Sequence, residues 1–265
     1  MMGFLKKLCR HGTCRKVAYD VAVKSARGLV RSENQDSLLS SPERSLFCVA
    51  DGMGGGQGGA EASKIACRCL DESVKAGDHF ADRVKAAAES IRSANEKIQE
   101  YAKKARYSKM ATTVAILALD DEMDHGGIIA YVGDSRVYRK RSGELRALTH
   151  DHTLAGELSR RPSMHSMIAR MGWRENQLSH VLTRAVGIEP EVQPDWRKIE
   201  VKNEDVYLIC SDGVYDMVDD GSLSEVLSPG RSSEEMALEL ERRILDAGAA
   251  DNYTMIILRI KEVKG

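Results

Sequence analysis

The reading of this chain turns on residues 46–63, LFCVADGMGGGQGGAEAS. An apolar run of strand length stops at Asp51. A glycine-dense loop follows, and small residues then open a helix-like segment. Such loops between strand and helix let a backbone approach a ligand closely. The stretch therefore predicts a strand, a sharp turn led by an acid, and a helix.

Working outward, alternation over residues 16–23 predicts a strand, and 59–76 and 80–106 read as two helices. In the second, Val84, Ala87, Ala88, Ile91, Ala94, Ile98 and Ala102 keep close to a 3.6-residue period. Strand character returns over 112–120, 127–134 and 136–141, with a turn at 141–145. Residues 153–186 are polar and helix-prone without a long apolar face. A buried-type strand at 205–212 and an amphipathic helix over 232–249 follow, the helix capped through Ser233 and Glu235. The last strand is 252–260. Strands come in groups broken by helix pairs, which points to an α+β fold with antiparallel sheets.

The 265 residues are 42% hydrophobic and 30% charged, with a formal net charge of −1. That balance supplies no field to attract nucleic acid. No apolar run approaches the ~20 residues of a membrane span. The opening MMGFLKKLCRHGTCRK is basic, with too short an apolar core for a secretory signal. It reads as a leader over residues 1–15, expected to be poorly ordered. The six cysteines follow no framework spacing, and Cys48 and Cys210 sit in apolar runs as small hydrophobes. A reduced, cytoplasmic compartment is expected.

Asp51 is one of four similarly placed acids. Asp134 and Asp212 also close apolar strands, and Asp251 directly precedes the last one. In antiparallel sheets the exit of one strand lies beside the entrance of the next, so all four can meet at one edge. Clustered carboxylates repel unless cations sit between them. Oxygen donors of this kind suit Mg²⁺ or Mn²⁺ rather than zinc. Taken singly, each is also an ordinary turn residue, since Asp-Gly and Asp-Ser favour turns.

Seven segments in order resemble the metal-dependent Ser/Thr protein phosphatases (the PPM or phosphatase 2C family), of the bacterial single-domain type. They are GLVRSENQDS (28–37), VADGMGGGQGGAEAS (49–63), MATT (110–113), VGDSRVY (132–138), LTRAVG (182–187), CSDGVYD (210–216) and DNYT (251–254). The resemblance implies a four-layer αββα sandwich, two central antiparallel sheets flanked by helix pairs. It implies one domain over 16–263 with a flap at about 154–180. Asp51 would bridge two Mn²⁺ or Mg²⁺ ions, with the Gly52 carbonyl on one and Asp212 and Asp251 on the other. Asp134 would belong to a third, weakly bound ion. Asp36 would order the attacking water, and Arg31 would bind phosphate oxygens with its planar fork. The activity implied is hydrolysis of phosphoserine and phosphothreonine in proteins by a metal-activated water, without a phosphoenzyme. The partners implied are phosphorylated proteins, among them a Ser/Thr kinase or its substrates, and the expected state is a monomer. The alternative is a pseudophosphatase, a binding module of the same fold.

The chain also departs from that pattern. Met53 stands where animal members carry a candidate acid, His. Gly56 replaces the His usual in bacterial members, and Ala111 replaces a Gly. Two other signals compete. Gly54, Gly56 and Gly59 spell the dinucleotide fingerprint, but a second long helix follows where that unit needs a strand. Cys9 to Arg15 fits the C-x5-R pattern of cysteine phosphatases, yet it precedes a strand instead of following one. His150 and His152 flank Asp151 in what reads as a polar turn capping the next helix. Arg160, Arg161, Arg170 and Arg174 read as a solvated face, or as flap residues that select phosphoprotein substrates.

Overall fold

A computed structural model describes residues 17–54, 57–107, 109–120, 126–160 and 178–263. The leader at 1–15, Gly56, and Arg161, Arg170 and Arg174 lie outside them, as does most of the expected flap.

One sheet has the order β1 (Val17–Ala26), β11 (Tyr253–Val263), β10 (Val206–Cys210), β7 (Arg136–Arg141), β8 (Glu144–Ala147). The other runs β2 (Asp36–Ser41), β3 (Leu46–Met53), β5 (Val114–Leu119), β6 (Gly126–Val132), β9 (Asp195–Glu200), with β4 (Ala111–Thr112) paired to β3. Every pairing is antiparallel. The long helices α1 (Gln57–Ser73) and α2 (Phe80–Ala105) cover the second sheet. The helices α5 (Asp220–Val226) and α6 (Ser233–Asp246) cover the first. Two further short helices are α3 (Leu154–Ser159) and α4 (Asp212–Tyr215), the latter following β10 directly. The expected αββα sandwich is thus the fold.

The central strands are apolar on both faces because each face meets a different core. Val114, Ile116 and Ala118 of β5 pack with the α1–α2 cluster, while Ala115, Leu117 and Leu119 pack between the sheets. In the other sheet, Leu208 and Cys210 of β10 face α5 and α6, whereas Tyr207 and Ile209 face inward. Period-two alternation therefore persists, but it sorts apolar residues between two cores instead of separating core from solvent.

Three strands escaped the sequence reading: β2, β9 and the largely exposed β8, whose first residues fall in the expected turn at 141–145. β2 is DSLLSS, half-buried along most of its length, and β9 is DWRKIE, a largely exposed edge strand. The cap of α6 is also one residue earlier than expected. The Ser232 hydroxyl accepts from Glu235 N, and the Glu235 carboxylate accepts from Ser232 N at 2.7 Å. Ser233 N instead donates to Asp20 at 2.8 Å. Among the described residues, no helix is long and apolar enough to cross a membrane.

Candidate active site

An open cleft of about 380 Å³ lies at the edge where the two sheets meet. Arg31, Asp51, Gly52, Asp134, Asp212 and Asp251 all line it, together with Met53, Thr113, His180 and Asn252. Of the residues expected to hold metal, phosphate or the attacking water, only Asp36 does not. It lies directly behind, opposite Asp51 in the β2–β3 register.

Local bonding explains how each acid is aimed. Near the end of β3, Asp51 N donates to Thr113 Oγ1 at 3.0 Å, and Asp51 O accepts from Thr113 N at 2.8 Å and Thr112 Oγ1 at 2.9 Å. The two threonines of MATT therefore clamp the strand at Asp51, and β3 runs on past the expected turn to Met53, with Gly52 and Met53 paired to β4. Gly52 N donates to Gln35 O at 3.2 Å. A Cβ on Gly52 would overlap the Gly59 carbonyl oxygen and lie 2.6 Å from Gln35 O. Here the glycine loop is needed so that α1 can pack directly beneath the acid-bearing turn.

Asp134 follows Gly133, which is doubly tied to His152. His152 N donates to Gly133 O at 2.9 Å, and Gly133 N donates to His152 Nδ1 at 3.1 Å. His152 is thus a buried structural residue. The neighbouring Thr153 caps α3, accepting from Gly156 N, in agreement with the turn reading of that segment. Asp151, between the two histidines, pairs with Arg136 at 2.7 Å, and the Arg136 guanidinium lies 3.6 Å from the Tyr215 ring centre. Tyr215 donates to Asp134 O at 3.1 Å. Asp212 opens α4, and Asp251 accepts from its neighbour Asn252 N at 2.7 Å.

Asn252 ties the opening segment to this strap. Its Nδ2 donates to Arg27 O at 2.9 Å and Glu33 O at 2.8 Å, while its Oδ1 accepts from Gln35 N at 2.8 Å. Arg31 is held over the cleft by an ion pair with Asp251 at 2.5 Å.

The carboxylates are electrostatically frustrated. Burial, then Asp36, Asp212 and Asp134 in turn, push the Asp51 carboxyl well above its ordinary value. Asp134 is pushed up to about 7 by burial and the Asp212 charge. Asp212 rises to about 6, again through burial first and Asp251 second. Asp36 rises to about 7 by burial; Ser211 Oγ donates to its Oδ2 at 2.7 Å, but Oδ1 is buried without a hydrogen-bond partner. Several carboxylates, one backbone carbonyl and no sulfur form a donor set that fits hard divalent cations. Cations are also what would relieve the repulsion.

Sequence reasoning missed two cleft-side residues. His180 Nδ1 lies 3.8 Å from Asp216 Oδ2, and the donor atoms of His180, Asp212 and Asp216 fall within 4.8 Å of one another. Asp212 opens α4 and Asp216 is its C-cap, a four-residue spacing that was visible; His180 arrives from a separate segment, so its approach was not.

Comparison with known proteins adds a second line. The model of the family described as Protein phosphatase 2C matches residues 29–242. The serine/threonine phosphatase stp of Listeria monocytogenes is 31% identical over 243 residues, spanning 89% of this chain and 93% of that protein. Among solved structures, PppA, described as a key regulatory component of T6SS in Pseudomonas aeruginosa, has a TM-score of 0.80 at 31% identity, covering 92% of this chain and 99% of that one. The catalytic domain of the serine/threonine protein phosphatase PstP in complex with two manganese ions has a TM-score of 0.75 at 29% identity, covering 93% and 100%.

Proposed function

Because the chain belongs to the protein phosphatase 2C family, we propose that Asp51, Gly52, Asp212 and Asp251 hold its two divalent cations and that Arg31 holds the phosphate. The enzyme is a metal-dependent phosphoprotein phosphatase acting on phosphoserine and phosphothreonine, with a dinuclear Mn²⁺ or Mg²⁺ centre. The observation that carries the residue assignment is the convergence of four carboxylates and one arginine on a single open cleft.

Cations bound there supply Lewis-acid charge and lower the pKa of water. The chain's own groups do the rest. The Arg31 guanidinium turns from Asp251 to two phosphate oxygens, a match for its parallel N–H donors. Asp36 Oδ1, the unpartnered acceptor behind Asp51, orients the attacking water, while Ser211 fixes the other oxygen of the same carboxyl. Attack by water leaves no phosphorylated side chain. Met53 has no proton to give, so the leaving serine or threonine oxygen takes one from solvent in the open cleft. Asp134 supports a third, weaker cation beside Asp212.

Phosphorylated proteins, among them a Ser/Thr kinase or its substrates, are the partners of this reading, met by a cytoplasmic monomer. A non-catalytic binding module is not favoured, since the family model and the relatives it resembles are those of protein phosphatases. Hydrolysis of p-nitrophenyl phosphate and of a phosphothreonine peptide in Mn²⁺ tests the assignment. Both activities should vanish with EDTA and with Asp212→Asn, and persist in Cys9→Ser. Full activity of folded Asp212→Asn would overturn it.

A further inference from the structure

Leu29 and Val30, at 64% and 71%, are the most exposed of the large hydrophobic residues that the described chain leaves in solvent. Isolated exposed hydrophobics are common and need no explanation. These two differ because they are adjacent, immediately precede Arg31 on the cleft wall, and cannot withdraw. Gly28 adopts φ +74°, and a Cβ there would lie 2.6 Å from Ala249 O and overlap Asp251 O. Leu29 N donates to Ala249 O at 2.9 Å. Arg31 is paired with Asp251, and Asn252 holds the carbonyls of Arg27 and Glu33. The segment 27–33 is therefore tied to the strap 249–252 by four bonds, three of which remain when Arg31 turns to phosphate, and its apolar side chains are displayed on a fixed backbone.

A protein substrate is itself a chain. With its phosphate on Arg31, the residues one or two positions away lie within about 4–7 Å along the backbone. That is the reach from Arg31 back to Val30 and Leu29. Leu182 also lines the cleft, and the neighbouring Val181 is 39% exposed. Building on the phosphatase assignment above, we propose that Leu29 and Val30 form a subsite for a large apolar residue adjacent to the phosphoserine or phosphothreonine. The fixed pair selects such substrates without taking part in the chemistry. A rigid contact surface costs little ordering on binding, so its apolar area is available for discrimination.

The test compares phosphothreonine peptides that carry either Leu or Ser beside the phosphoresidue, on each side in turn, with p-nitrophenyl phosphate as a substrate too small to reach the rim. The wild-type enzyme should favour a Leu-flanked peptide by about five- to tenfold in kcat/KM, the scale of one partly buried aliphatic side chain. In Leu29→Ser/Val30→Ser the ratio should fall to about one while p-nitrophenyl phosphate turnover is unchanged. The near-isosteric Val30→Thr should lower it part of the way. A wild-type ratio of one on both sides would overturn the subsite, and so would a variant that keeps the preference. Parallel loss on p-nitrophenyl phosphate in a folded variant would also overturn it, by making the pair a support for Arg31. Failure of the wild-type enzyme to turn over any of the substrates would instead strike the phosphatase assignment.

Discussion

Ser211 donates to Asp36 Oδ2 at 2.7 Å while its own oxygen accepts from Thr254 N at 3.0 Å, so one hydroxyl joins β11 to an acid on the opposite sheet. All three residues are buried. The link fixes the carboxyl that faces Asp51 across the register. Ser211→Ala removes the hydroxyl that donates to that carboxyl and should cost about 1–3 kcal/mol. Chemical denaturation measures the loss, and kcat should fall even where the protein remains folded.

The acidic cleft sets the pH dependence of the metal-free protein. Asp36 and Asp134 hold protons to about pH 7 and Asp212 to about 6, against 3.8 for a free aspartate. Between about pH 4 and 7 the folded state thus carries protons that the unfolded chain has released, so stability falls as pH rises. The Tm of EDTA-treated protein should be higher at pH 5 than at pH 7.5. Saturating Mn²⁺ should remove that slope, because cations bind the deprotonated carboxylates.

Removing one acid should separate stability from function. Asp212→Asn relieves repulsion with Asp51, Asp134 and Asp251 and should stabilise the metal-free protein by about 1–3 kcal/mol at pH 7.5. The same variant should lose most of the Mn²⁺-induced rise in Tm. Differential scanning calorimetry with and without metal reads both effects.

Gly52→Ala should be among the most damaging single-methyl additions. The new Cβ would meet two backbone oxygens, of Gly59 and Gln35, neither of which can rotate away. A loss above about 3 kcal/mol, or failure to express as soluble protein, is the expected outcome.

A charge cluster steadies the segments on either side of the expected flap. Asp195 pairs with Arg184 at 2.8 Å, and His152 Nε2 and Arg160 approach it at 3.4 and 3.8 Å. The pairs are partly exposed, so Asp195→Asn should cost only about 0.5–1 kcal/mol overall. Locally the effect should be larger. The amides of Leu154 and Thr183, bonded to Val181 O and His152 O, should exchange faster with deuterium than in the wild type.

The residues that announced themselves in the sequence did so through local contrast. Asp51, Asp134 and Asp212 each end an uninterrupted apolar run, which exists because the strands are buried on both faces. Asp251 and Asn252 sit where such a run begins. β2 and β9 gave no comparable signal, since DSLLSS is only half-buried and the edge strand DWRKIE carries the charges that keep an edge soluble. His180 was silent for another reason. Its meeting with Asp212 and Asp216 depends on where a distant segment comes to rest, and no spacing along the chain encodes that. The bond from Ser211 to Asp36, across 175 positions, was equally out of reach.

The pairing of β1 with β11, unbroken in register from Ala26↔Tyr253 to Tyr19↔Ile260, has a consequence for biosynthesis. Asp251 and Asn252 stand at the start of that late strand, and segment 27–33 has nothing to fasten to until they emerge. A chain still on the ribosome can fold α1 and α2 over β3 and β5, yet Arg31 and Asp51 would face a cleft missing one wall. The catalytic centre is thus completed only when the early and late strands close on one another. On the site assignment proposed above, the nascent chain should stay inert towards phosphoproteins until that closure.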